Sequence, residues 1–123
     1  MNINVRAHGF SLTAAISSSV YKELGTALKP FARHIMHVDV FLKDINGPKG
    51  GEDKVALARL RLVWGEVLTI VSTHVDLYTA IKAVSRRSRR AAKRAAGRQH
   101  RAARRHRRHL YDSPDKAAIG SAV

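Results

Sequence analysis

The sequence predicts an α+β fold of order β-α-β-β-β-α, a four-stranded sheet with two helices on one face. Three observations carry this. Apolar and polar side chains alternate with period two in four separate stretches. Apolar side chains recur every three to four residues in two others, one after the first strand and one after the last. The breaks between stretches hold Gly, Pro and Asn, the residues of turns. With 123 residues, 45% of them hydrophobic, the chain can build one small core. One sheet covered on a single face is the economical way to bury two amphipathic stripes.

Residues 2–8 alternate strictly, with Ile3, Val5 and Ala7 on one side and Asn4, Arg6 and His8 on the other. That is the pattern of a half-buried strand. Gly9 breaks it. Ser11 is placed to cap a helix, along which Leu12, Ile16, Val20, Leu24 and Leu28 recur every four residues, with Ala15, Ala27 and Phe31 nearby. The stripe predicts a helix of about 17 residues, ended by Pro30. Residues 35–46 alternate again, with Val38, Val40 and Leu42 inward and His37, Asp39, Phe41 and Lys43 outward. The run N-G-P-K-G-G at 46–51 is turn chemistry. A third strand over 54–63 turns Ala56, Ala58, Leu60 and Leu62 to the core and Arg59 and Arg61 outward. Trp64-Gly65 makes a tight turn into a fourth strand, 66–74, rich in β-branched residues. Asp76 caps the second helix, whose inner stripe is Leu77, Ala80, Ile81, Val84 and Ser88. The outer sheet face is predicted to carry Arg6, His37, Lys43, Arg59 and Arg61 into solvent.

The second helix carries the charge. Of the net +14, +13 lies between Leu77 and His109, where 13 Lys or Arg residues stand with no acid, against 10 basic and 9 acidic residues elsewhere. If the stretch is helical, like charges stack at i,i+4, as at Arg86–Arg90, Arg89–Lys93 and Arg104–Arg108, and the summed repulsion is about 1–3 kcal/mol. Phosphates relieve such repulsion and release counterions as they do so. A solvated helix face ordinarily mixes signs; an acid-free run of this length points to a polyanion, and first to nucleic acid. Arginine against phosphate positions a protein without reading bases. Beyond Val84 the inner stripe thins to Ala91, Ala92, Ala95 and Ala96, so the helix is expected to run past the sheet edge. Alanine and arginine favour helix throughout. The domain reading is an α/β body over 1–96, then a basic helix extension and disordered tail over 97–123, with Ser113-Pro114 in the tail.

Other chemistries fit poorly. Without cysteine no disulfide framework, thiolate metal site or thiol nucleophile is available. The N-terminus lacks the charged start and apolar run of a signal peptide, and no apolar run approaches the ~20 residues of a membrane span. A cytoplasmic protein is therefore expected. Membrane-surface binding needs large apolar groups opposite the charges, and alanine stands there. His34 and His37, placed on one strand, face opposite sides, and His106 and His109 lie in a cationic run that repels a divalent ion. No metal and no cofactor is expected. The acids are scattered rather than paired in a pocket-forming pattern, so no enzyme is predicted. Gly47, Gly50 and Gly51 precede a strand, not a helix, and so form no phosphate loop. Phe41 and Tyr78 could stack on bases, though packing is their ordinary role.

Four stretches carry a family resemblance: M-N-I-N-V-R-A-H-G-F-S-L-T-A-A-I, A-L-K-P-F-A-R-H-I, V-D-V-F-L-K-D-I-N-G-P-K-G-G-E-D-K and D-L-Y-T-A-I-K-A-V-S-R-R-S-R-R. In order and spacing the chain resembles the bacterial ribosome hibernation promoting factor and ribosome-associated inhibitor family, also called sigma-54 modulation proteins, in its short form. The resemblance implies a fold like that of double-stranded RNA-binding domains. It also implies a translation inhibitor that binds small-subunit rRNA and blocks the tRNA and mRNA sites sterically, catalysing nothing. Such a protein is ribosome-associated, takes no small-molecule substrate and is monomeric off the ribosome. The matching RNA-binding positions are Lys22, Lys29 and Arg33 around the first helix, and Lys82, Arg86, Arg87, Arg89, Arg90, Lys93 and Arg94 on the second. The alternatives are a generic double-stranded RNA-binding or RNA-chaperone module, or a modulator of a transcription factor.

Overall fold

A computed structural model of the chain describes residues 1–45 and 53–112. The predicted 46–51 turn and the tail from Ser113 lie outside the described residues. The elements run β1 (Asn2–His8), α1 (Ala14–Leu28), a 3-10 segment (Lys29–His34), β2 (Ile35–Asp44), β3 (Lys54–Leu62), β4 (Val67–His74) and α2 (Leu77–Asp112). The strands form one sheet in the order β1-β2-β3-β4. β1 pairs parallel with β2, and the other two ladders are antiparallel. The parallel pair needs a crossover, and α1 supplies it. The chain divides into two compact units, Met1–Lys93 and Arg94–Val123.

The alternation read from sequence is the alternation of burial. Val38, Val40 and Leu42 of β2 lie opposite Leu60, Ala58 and Ala56 of β3, and all six are at most 1% exposed. Ala58 in turn faces Ile70, and Ala56 faces Ser72, on β4. The other face carries Arg6, Lys43, Arg59 and Arg61 exposed and His37 half-buried, with the Arg59 guanidinium 5.9 Å from the centre of the Phe41 ring. The two helices bury Val20, Leu24 and Leu28 of α1 and Ala80, Ile81 and Val84 of α2. Since only one sheet face is covered, both helices lie on it. Each large aliphatic chain taken out of water contributes about 1.5–3 kcal/mol.

Four local expectations are corrected. Thr13, not Ser11, caps α1: its Oγ1 accepts from the Ile16 N–H at 3.2 Å. Gly9 turns with φ +89°, and Ser11 and Leu12 are carried outside the helix, Leu12 remaining 38% exposed. α1 is therefore 15 residues long, shorter than its stripe suggested. The segment around Pro30 is not a plain stop: α1 tightens into the 3-10 segment with the proline at its start, where a missing N–H costs little. His34 ends that segment rather than sitting on a strand, and its ring lies 5.6 Å from Trp64. The buried alanine stripe of α2 extends within the first unit to Ala92, 3% exposed, about two turns past Val84.

Gly9 has a second reason to be glycine, since a Cβ there would sit 2.9 Å from the Asp44 carbonyl oxygen. At the same end of the sheet the Lys54 ammonium lies 3.1 Å from Asp44 Oδ1 and 3.1 Å from Asp53 Oδ1. Asp53 is fully buried, and its backbone carbonyl accepts from the Ile45 N–H at 3.0 Å. The strand pair β2–β3 is thus joined at that end by charge as well as by backbone.

Candidate nucleic-acid interface

α2 begins where the sequence places its cap. Asp76 Oδ2 accepts from the Thr79 N–H at 3.0 Å and from the Thr79 hydroxyl at 2.9 Å. The negative charge also suits the positive end of the helix macrodipole. Once the phase is set by Ala80, Ile81 and Val84 against the sheet, Lys82, Arg86 and Arg89 follow at i, i+4 and i+7 on one flank. All three line a groove of about 370 Å³, whose other wall is Glu23, Thr26 and Ala27 of α1. Thr79 and Ser85 complete the lining. Ser85 donates its hydroxyl proton to the Ile81 carbonyl at 2.8 Å, so this polar side chain is already satisfied by its own helix.

The ten positions implied by the resemblance are all exposed, but they fall into different surroundings. Lys82, Arg86 and Arg89 are brought together by the groove. Arg90 and Lys93 are exposed on α2 outside it, and Arg94 belongs to the second unit. Lys22 of α1, Lys29 and Arg33 do not line the groove; Arg33 Nε donates to His34 Nε2 at 3.4 Å. Arg87 is set apart, its Nη1 donating to the Val71 carbonyl at 2.7 Å. Val71 belongs to β4, an outer strand whose carbonyls are not all used by the ladder. Arg87 therefore fastens α2 to the sheet edge, which Arg90 and Lys93 do not. Glu23, the groove's acid, is the feature that sequence reasoning missed. Its place three residues after Val20, beside the stripe, marks it as a flank residue, but only the packed pair of helices shows which cations it meets.

Three cations against one acid give the groove a net positive charge. Two of its three hydroxyls, those of Thr79 and Ser85, are already committed to Asp76 and to the Ile81 carbonyl. Among the described residues no group of three His, Asp or Glu side chains is arranged to hold a metal ion, and no helix is long and apolar enough to cross a membrane.

Solved structures share this architecture. A ribosomal subunit interface protein from Coxiella burnetii superposes with a TM-score of 0.67 at 18% identity, over 79% of this chain and 99% of that one. The N-terminal domain of Protein Y from Thermus thermophilus gives 0.60 at 22% identity, over 76% of this chain and 93% of that one. Among curated proteins none matches the sequence. The class defined is thus an α+β module with the fold of the ribosomal subunit interface proteins. A family model described as sigma 54 modulation protein / S30EA ribosomal protein matches residues 3–100. The chain belongs to that family, the one its sequence resembles.

Proposed function

We propose that this protein binds the small ribosomal subunit through rRNA phosphates, occupies the tRNA and mRNA sites and so holds translation off, with no reaction catalysed. The observation that carries the reading is the cation-lined groove: Lys82, Arg86 and Arg89 converge there on a helix with no acid between Leu77 and His109. The family and the solved structures of the same fold support it. In this reading Arg90, Lys93 and Arg94 extend the contact along α2, Lys22, Lys29 and Arg33 add to it from the first helix, and Arg87 mainly keeps α2 in place. The protein acts in the cytoplasm on the ribosome and is monomeric when off it.

The test is co-sedimentation with purified small subunits. K82E/R86E/R89E is expected to abolish it, while the native chain displaces bound mRNA and tRNA. Neutralising six to ten phosphates predicts that affinity falls on the order of 10³–10⁵ between 50 and 200 mM salt. Unchanged sedimentation of the triple variant refutes the groove assignment. Displacement of the native chain by bulk duplex RNA at equal phosphate concentration supports a generic RNA binder instead. The family description also names sigma 54; co-sedimentation with RNA polymerase rather than ribosomes favours that second reading.

A further inference from the structure

The family match stops at residue 100, yet α2 continues to Asp112. Over 98–108 the helix holds six arginines and no acid. Each of these eleven residues is exposed, Ala102 and Ala103 included. At 3.6 residues per turn the six arginines, Arg98 to Arg108, fall on about one half of the circumference. Gln99, Ala102, Ala103 and His106 fall on the other half.

We infer that this helical arm is a second phosphate-binding element, distinct from the groove, that lies along the backbone of double-stranded RNA. The inference rests on the nucleic-acid reading above and adds a site to it. Spacing supports it. A rise of 1.5 Å per residue spreads six charges over roughly 15 Å, one per ~3 Å of axis. Along one strand of B-form DNA the phosphates stand about 3.4 Å apart, and the shorter rise of A-form RNA keeps its phosphates at a density comparable to that of the cations. Single strands are gripped by stacking on large aromatic side chains; 98–108 contains no Phe, Tyr or Trp, and its only rings are the imidazoles of His100 and His106. A lipid surface needs large apolar groups opposite the charge, where this helix has alanine, glutamine and histidine. Nothing in the arm reads sequence, so the contact is to backbone alone.

The experiment uses the full chain and a labelled RNA duplex of about 20 base pairs, titrated from 50 to 200 mM salt. The variant R101Q/R104Q/R105Q/R107Q/R108Q keeps good helix formers throughout. Its slope of log affinity against log salt is expected to fall by about 4, from roughly 0.9 per lost phosphate contact. The matching five-fold lysine variant is expected to keep the native slope to within one. A fall smaller than 2 in the glutamine variant overturns the inference, as does an equal fall in the lysine variant. Polyglutamate binding the native chain as tightly as the duplex at 150 mM salt also overturns it, in favour of an acidic protein partner. The small-subunit test reads separately: a native chain that fails to displace mRNA, yet loses duplex slope on arginine removal, sinks the hibernation reading and leaves the arm standing.

Discussion

Lys54 answers two carboxylates with one ammonium, and the energetics of that end of the sheet follow from it. Its pKa is raised above the ordinary 10.5, first by the hydrogen bond to Asp44 and then by Asp53, with burial opposing. A lysine raised in this way gives its full stabilisation below pH 10.5 and loses it as pH climbs through the raised value. Asp53 is the more demanding partner, since it is fully buried and its Oδ2 has no hydrogen-bond partner among the described residues. Removing the ammonium strands that charge, and breaking such a pair costs more than never having made it. Lys54→Met is therefore expected to lower the urea midpoint at neutral pH, and adding Asp53→Asn to recover part of the loss. The gap between native chain and K54M should close in the alkaline range above 10.5; a gap that stays constant there assigns the effect to packing. None of this was legible in the sequence. Asp44, Asp53 and Lys54 stand at the ends of two strands, and nothing in their spacing says that one lysine reaches both acids.

At the level of elements, α2 depends on its first turn. Asp76 satisfies one otherwise unpaired N–H and orients the Thr79 hydroxyl. Asp76→Ala should cost about 0.5–2 kcal/mol, measured by chemical unfolding, with Asp76→Asn recovering most of the cap but not the dipole term. The strands and the stripes of both helices could be read from sequence because the core imposes its own period. Val38, Val40 and Leu42 alternate against solvent, and Val20, Leu24 and Leu28 repeat by the turn. What failed was local and depended on neighbours. Ser11 and Thr13 are both able caps, and the turn at Gly9 decides between them. Ile35 is buried out of step with Val38 because the register shifts between Ile35 and His37. The candidate site was half legible. An acid-free run names the charged helix, but which cations converge depends on α1 bringing Glu23, Thr26 and Ala27 to face Lys82, Arg86 and Arg89. Arg87 looked like its neighbours in sequence, and its bond to Val71 separates it from them.

Across the whole molecule one quantity has two opposite consequences. Of the +14 charge, +13 sits between Leu77 and His109, and helical spacing sets like charges about 5–6 Å apart. The screening length is about 30 Å at 0.01 M salt and about 3 Å at 1 M, so the repulsion is felt in full in the first case and largely removed in the second. In the free protein, salt should therefore stabilise. The recoverable repulsion is about 1–3 kcal/mol, and a gain of that size raises Tm by several degrees in a domain of this length. Thermal melts followed by circular dichroism at 0.01 and 0.5 M sodium chloride check this, and a Tm that falls with salt overturns it. The same ions should weaken the proposed complex with RNA, because they compete for the phosphates that the cations would neutralise. A protein held together mainly by exposed ion pairs would lose both stability and affinity as salt rises. Here the two should move in opposite directions over one salt series, since the charges that strain the free helix are those proposed to bind phosphate.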